Sequence, residues 1–254
     1  MEVEVAGLSD VGLIREQNED ALWIDDHMVR DDSESRTFRF SDRVNPLMLA
    51  VADGVGGAAA GEIASAFVVR HMARLCLDDE ADDLTTARFR EEADRVNDLL
   101  LLEGERRVEW RGMATTFTGM VFAPTCQCWI HAGDSRLYGV TEGNLVQMSR
   151  DHTLREVSGD MRVPNNIIVN CFGSAPRFYA DTGTLTPSRT ELYLLCSDGL
   201  SDYADMEAVA EELERTASDP SRGLMSCAET LAELARVGGG GDNISLIVVR
   251  PSYA

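Results

Sequence analysis

Three aspartates in this chain stand where a run of one strong conformational habit stops. LMLAVAD ends at Asp53, LYLLCSD at Asp198 and GGGGD at Asp242. The first two runs are apolar and read as buried strands, and a carboxylate at a strand's end projects beyond the sheet from a rigid support. For such ends to act together, the fold must bring distant parts of the chain to one place. Six short signatures carry the pattern in one order: RxxNED (Arg15–Asp20), ADGVGG (Ala52–Gly57), MATTFTG (Met113–Gly119), GDSR (Gly133–Arg136), CSDGL (Cys196–Leu200) and GDN (Gly241–Asn243). Asp-Gly alone is also the commonest hairpin turn, so no single signature decides anything. The ordered set, with glycines that let backbone approach an ion, describes an oxygen-rich site for hard divalent cations.

Convergent Asp53, Asp198 and Asp242 are enough to hold two such ions, with the Gly54 carbonyl as a further ligand. Two ions about 3.5–4 Å apart lower the pKa of a shared water and make a nucleophile without a side-chain base. Asn243 follows Asp242 and is placed to orient it or a bound water. Arg15, ahead of Asp20, is either a fork for phosphate or one half of a surface ion pair. His152 in RDHT reads either as a proton donor over the site or as a loop-fixing hydrogen bond. His71 and His131 read as packing residues. No covalent nucleophile emerges. Ser197 lacks the GxSxG elbow, the cysteines lack a CxxxxxR phosphate cradle, and the histidines form no HExxH pair.

Composition removes several alternatives. A formal charge of −21 argues against nucleic acid, whose phosphates need a basic surface. All 23 basic residues are arginine. That excludes Schiff-base and P-loop chemistry, which need lysine, and leaves forks suited to phosphate. Cys76, Cys126, Cys128, Cys171, Cys196 and Cys227 have no zinc-site spacing and read as buried free thiols in a reducing compartment. MEVEVAGLSD lacks the basic and apolar regions of a signal peptide, and no apolar run approaches the ~20 residues of a membrane span. The expected location is the cytoplasm, with no membrane partner.

Strand-like segments fall at Val3–Leu8, Ala21–Asp25, Pro46–Ala52, Thr115–Ala123, Cys126–Ala132, Leu137–Thr141, Glu191–Ser197 and Ile244–Val249. Helical spacing marks Gly61–Leu75, Thr85–Arg107, Asp205–Ala217 and Arg222–Val237. Glu142-Gly143-Asn144 is the turn of a hairpin. This order fits a single domain over residues 1–254, an α+β fold of two sheets packed face to face with helices outside. Two segments read as peripheral. His27–Asn45 is an extended surface hairpin or flexible loop, and DDEADD within Leu77–Leu84 is a solvated turn between helices rather than a cation cage.

With these motifs in this order, from SDVGLIREQNED to GGGGDNISLIVV, the chain resembles the metal-dependent Ser/Thr protein phosphatases of type 2C, in particular their compact bacterial members. The resemblance implies a four-layer αββα β-sandwich of two antiparallel sheets with a metal site at one end. It also implies hydrolysis of phosphoserine and phosphothreonine on proteins with Mn2+ or Mg2+. By the same resemblance Asp53 bridges both ions, Gly54 offers its carbonyl, and Asp198 and Asp242 bind the first ion. Glu19 and Asp20 fall at the acidic pair beside the second ion, with Asp20 favoured, and Asp134 at a third, weaker ion shared with Asp198. Arg15 matches the phosphate-gripping arginine.

Two departures follow from the comparison with that family. Val55 replaces the histidine that many eukaryotic members carry, which leaves a metal-bound water or His152 to protonate the leaving group. The stretch SGDMRVPNNIIVNCFG is shorter than the usual bacterial flap, which implies a more open site. The expectation is a phosphatase opposing a Ser/Thr kinase. A partner-switching phosphatase acting on an anti-sigma antagonist shares the chemistry. An inactive scaffold or a cation buffer is disfavoured by the intact carboxylate set.

Overall fold

The computed structural model describes every residue except 40–44, 56–59, 78–83, 124–125, 175–176, 187–189 and 253–254. Its strands form two six-stranded antiparallel sheets. The first runs β4 (Ser33–Arg39), β1 (Glu2–Asp10), β12 (Ile244–Ser252), β11 (Thr190–Cys196), β8 (Arg136–Thr141), β9 (Asn144–Gln147). The second runs β10 (Asp181–Thr184), β7 (Gln127–Ala132), β6 (Phe117–Phe122), β5 (Leu47–Ala52), β2 (Ala21–Ile24), β3 (His27–Val29).

Alternation within single strands explains the layers. In β5, Leu47, Leu49 and Val51 enter the core between the sheets with Val5, Leu195 and Ile247. Met48, Ala50 and Ala52 face the other way, onto α1 (Gly61–Leu77) and α2 (Thr86–Arg106), where Val68, Met72 and Phe89 meet them. In β12, Leu246 and Val248 pack on α5 (Met206–Ser218) and α6 (Leu224–Val237) through Val209 and Leu231. A strand covered on both faces has no position to spare for polar side chains, so it reads as an unbroken apolar run. Three apolar cores thus separate four layers, α–β–β–α, as the resemblance implies.

The segment from residue 27 onward departs from expectation. It is neither a hairpin on itself nor a loop: β3 pairs with β2 in one sheet and β4 with β1 in the other, so the chain crosses between sheets at Arg30–Asp32. Its composition misleads because β4 is an edge strand, SESRTFR, in which only Phe38 is fully buried. Residues 40–44 and the acidic run at 78–83 lie outside the described residues. The hairpin turn is present, with φ of 53° at Glu142 and 73° at Gly143, the handedness that suits the twist of β8 and β9. Beyond expectation are β10, α3 (Leu154–Ser158), α4 (Asp198–Ser201) and a 3-10 turn at Val108–Trp110, all too short to show a period. All six cysteines are free, and Cys126 is the one not fully buried. Among the described residues, no helix is long and apolar enough to cross a membrane.

Candidate active site

The motifs meet at one end of the two sheets. Where β5 stops, Asp53 is gripped by the adjacent threonines Thr115 and Thr116 of MATTFTG. Its N–H donates to Thr116 Oγ1 at 3.0 Å, and its carbonyl accepts from Thr116 N at 2.8 Å and Thr115 Oγ1 at 2.7 Å. Thr116 Oγ1 also shares a 2.7 Å hydrogen bond with Ser135 Oγ, which ties the GDSR turn to the same anchor. Gly54 passes so close to α1 that a Cβ on it would lie 2.6 Å from the Gly61 carbonyl carbon, so no other residue fits. Where β11 stops, α4 begins at Asp198, and Gly199 packs directly on the Asn243 carbonyl.

A cavity of about 230 Å³ opens between these elements. Arg15, Asp53, Gly54, Asp134, Asp198 and Asp242, all expected from the sequence, line it; Val55, Asn166 and Ile168 complete the wall. Arg15 stands with one guanidinium nitrogen 2.7 Å from Asp242 Oδ2. The other Asp242 oxygen accepts from the Asn243 N–H at 2.8 Å.

Burial opposes charge throughout this cluster. It pushes Asp20 and Asp134 up to about 8, and in both the charge of Asp198 reinforces it. Hydrogen bonds from Ser245 and Ser197 pull Asp20 part of the way back. Asp198 rises to about 6 through burial and the Asp242 charge. Asp53 is held well above the usual carboxylate range by burial and then by its neighbours Asp20, Asp198 and Asp134. The Oδ1 atoms of Asp20, Asp134 and Asp198 are buried without a hydrogen-bond partner. An orphaned buried acceptor costs about 1–3 kcal/mol, so the cluster favours a proton or a cation.

Three expected residues stand differently from the sequence reading. Asp20 is buried behind the cavity rather than lining it, with Oδ2 accepting from Ser197 Oγ at 2.9 Å, yet its charge is the largest acting on Asp53. Glu19 is also absent from the cavity wall; its carboxyl carbon packs against Gly61 at the start of α1. The Asn243 side chain touches neither Asp242 nor the cavity. It spans the RxxNED loop, accepting from Glu19 N at 2.9 Å and donating to Val11 O at 2.9 Å and Gln17 O at 3.0 Å. Only its main chain orients Asp242.

His152 is a correction. The ring is buried, with Nε2 3.2 Å from Asp181 Oδ2 and Nδ1 accepting from Asn170 Nδ2 at 2.7 Å and Gly133 N at 3.2 Å. It lies between the rings of His131 and Tyr179, each with its centroid 4.7 Å away. Both nitrogens are spent on fixing the loop behind GDSR, so His152 has no face toward the cavity. His131 is likewise buried, bonded to Thr118 and the Arg150 carbonyl, and its pKa is driven down to about 3, chiefly by burial. His71 stacks on Phe67 within α1.

Several working residues had no role assigned from sequence. Thr115 and Thr116 fell within the MATTFTG signature without a stated task, whereas Asn166 and Ile168 come from a loop without pattern. Arg136 makes a bidentate bond to Asp151, with Nε at 3.0 Å from both oxygens and NH2 at 2.6 Å from one, bracing the root of the loop that follows β9.

The donors suit Mn2+ or Mg2+. They are carboxylate and carbonyl oxygens, no Cys or His lines the cavity among the described residues, and three carboxylates carry an unpartnered oxygen. As placed, no three such side chains among the described residues stand close enough to hold one ion. Asp242 is turned to Arg15 and Asp20 to Ser197.

The family model described as Protein phosphatase 2C matches residues 24–234. This chain belongs to the protein phosphatase 2C family. The serine/threonine protein phosphatase PstP of Mycobacterium tuberculosis is 32% identical over 255 residues, covering 96% of this chain and 44% of PstP. The chain therefore spans less than half the length of that relative. The serine/threonine phosphatase stp of Listeria welshimeri is 30% identical over 236 residues, with 87% of this chain and 91% of stp covered. The solved catalytic domain of PstP in complex with two manganese ions matches with a TM-score of 0.75 at 31% identity, over 98% of this chain and 99% of that one. A bacterial serine phosphatase at 23% identity reaches 0.82 over 98% of both chains and shows the shared fold alone.

Proposed function

We propose that this chain, as one domain over residues 1–254, is a Mn2+- or Mg2+-dependent protein phosphatase acting on phosphoserine and phosphothreonine. The observation that carries the reading is a cavity lined by four aspartates, two of them with an unpartnered buried oxygen, beside an arginine fork at its mouth. The names of the relatives support the substrate class. Asp53 would lie between two ions, with Asp198 and Asp242 on one, and Asp20, the Gly54 carbonyl and Glu19 toward the other. Asp134 would join Asp198 at a third. Bound ions of this kind activate a water and draw charge from the phosphate. The threonine grip holds the Asp53 main chain, which fixes the point from which its carboxylate projects. Arg15 is planar, permanently charged and 40% exposed, so a phosphate entering the mouth meets its fork. With Val55 on the wall, His152 turned away and every lining carboxylate placed toward an ion, the leaving alkoxide would take its proton from water. A cavity of about 230 Å³ admits a phosphoester side chain while the peptide lies across the rim. The expected setting is the cytoplasm, opposite a Ser/Thr kinase, and the charge of −21 leaves nucleic acid out.

The test is turnover of a phosphothreonine peptide. It should need Mn2+, vanish in excess EDTA, return on adding metal back, and be lost in a folded Asp53→Ala protein. Full turnover after extensive chelation would sink the reading.

A further inference from the structure

The crossing between the sheets reaches beneath the loop that carries Glu19 and Asp20; Arg30 and Asp31 bond to that loop and Asp32 to β1. Arg30 Nε donates to the Asp20 carbonyl at 2.5 Å. Its NH2 donates to Ser65 Oγ at 2.9 Å and to the Glu62 carbonyl at 3.1 Å, both on α1. Ser65 Oγ in turn donates to the Glu19 carbonyl at 2.6 Å. Asp31, in the left-handed region with φ of 53°, accepts from Asn18 Nδ2 at 2.8 Å. Asn18 Oδ1 then accepts from the Asp20 N–H at 3.0 Å. The Asp32 carbonyl takes the Ser9 N–H at 2.9 Å and pins the crossing to β1.

Both backbone groups of Asp20 are therefore held from this crossing, the carbonyl directly and the N–H through Asn18. The partners of Arg30 are site backbone and the first turns of α1, the same turns on which Gly54 packs. Its half-buried guanidinium also faces the Asp20, Asp31 and Glu62 charges. We infer that Arg30, supported by Asp31, is a positioning residue for the metal ion beside Asp20, setting the direction of that carboxylate through its backbone. The inference rests on the phosphatase reading of the cavity.

Mn2+ titration of the folded protein by calorimetry separates the possibilities. Arg30→Ala should weaken one of two Mn2+ sites by about tenfold to a hundredfold and leave the other near wild type, the usual range for a residue that orients a ligand. Arg30→Lys should restore only part, because an ammonium cannot reach a carbonyl and a hydroxyl with one planar fork. Asp31→Ala, an exposed position, should weaken the same site by less. With Mn2+ saturating, KM for a small phosphoester should stay unchanged in all three, since Arg15 is untouched. Equal weakening of both sites alongside a lower melting temperature would mean a merely structural role and overturn the inference. Two wild-type affinities in every variant would overturn it as well. If Arg30→Ala does not fold, Arg30→Lys and Asp31→Ala decide the same question. A wild-type protein that binds no Mn2+ would remove the phosphatase reading and this role with it.

Discussion

The Arg15 guanidinium is bonded to Asp242 at 2.7 Å, and that hydrogen bond is the main cause of its raised pKa. Its charge is therefore fixed and its fork already faces the mouth of the cavity. If it grips phosphate as proposed, replacing it would remove one charged hydrogen bond, worth about 1.5–3 kcal/mol. Arg15→Ala should raise KM for a small phosphoester by about tenfold or more with a smaller change in kcat, and Arg15→Lys should recover part of it. Steady-state kinetics on an aryl phosphate at saturating Mn2+ reads both; unchanged KM in both variants would make Arg15 a surface residue. His152 calls for the opposite outcome. Its loss leaves the Gly133 N–H without its acceptor, at about 1–3 kcal/mol, and Asn170 Nδ2 with the Tyr179 carbonyl alone, so His152→Ala should lower the melting temperature. Turnover of peptide and aryl phosphate should change in equal proportion. A loss confined to the peptide would reinstate His152 as the proton donor.

The join between α4 and β12 carries the next prediction. A Cβ on Gly199 would collide with the Asn243 carbonyl oxygen, a backbone atom with no rotamer to yield. Gly199→Ala must push the start of α4 away from β12, separating Asp198 from Asp242 and loosening the loop that Asn243 holds. Activity should fall by orders of magnitude together with Mn2+ affinity and melting temperature; wild-type Mn2+ affinity would show that the two strand ends are not braced by this contact. Such joins also mark where sequence stops being legible. β5, β11 and β12 could be read because both faces are buried, and α1, α2, α5 and α6 because they are long enough to show a period. β4 could not, since an edge strand exposes polar residues as a loop does. Asp53, Asp198 and Asp242 were legible because each sits where an apolar strand or glycine run ends, whereas Asp20 and Asp134 were legible through the resemblance alone. The roles of Asn243 and Arg30 were not, because most of their partners are backbone groups that any residue supplies. For His152, position in RDHT says nothing about which way the ring faces.

For the whole molecule, the carboxylate cluster couples folding to pH and to metal. Folded Asp20 and Asp134 sit at about 8 and Asp198 at about 6, against about 3.9 for an unfolded aspartate. Between about pH 4 and 8 the folded chain thus holds more protons than the unfolded one. Stability from these groups is fully present below about pH 4 and is lost as pH rises through their folded values. In EDTA, the melting temperature should therefore fall from pH 5 to pH 8. Mn2+ should flatten that fall by taking the place of the protons, and its binding should release protons into a weakly buffered solution. General repulsion in a chain of charge −21 acts in the same direction, so variants must separate the two. Asp134→Asn removes one buried, unpartnered carboxylate and should make the EDTA curve shallower. Glu229→Gln removes one exposed charge from α6 and should leave the slope as it was. The same slope in both variants would assign the pH dependence to net charge. A melting temperature that rises with pH in EDTA would mean the cluster is not strained without its ions.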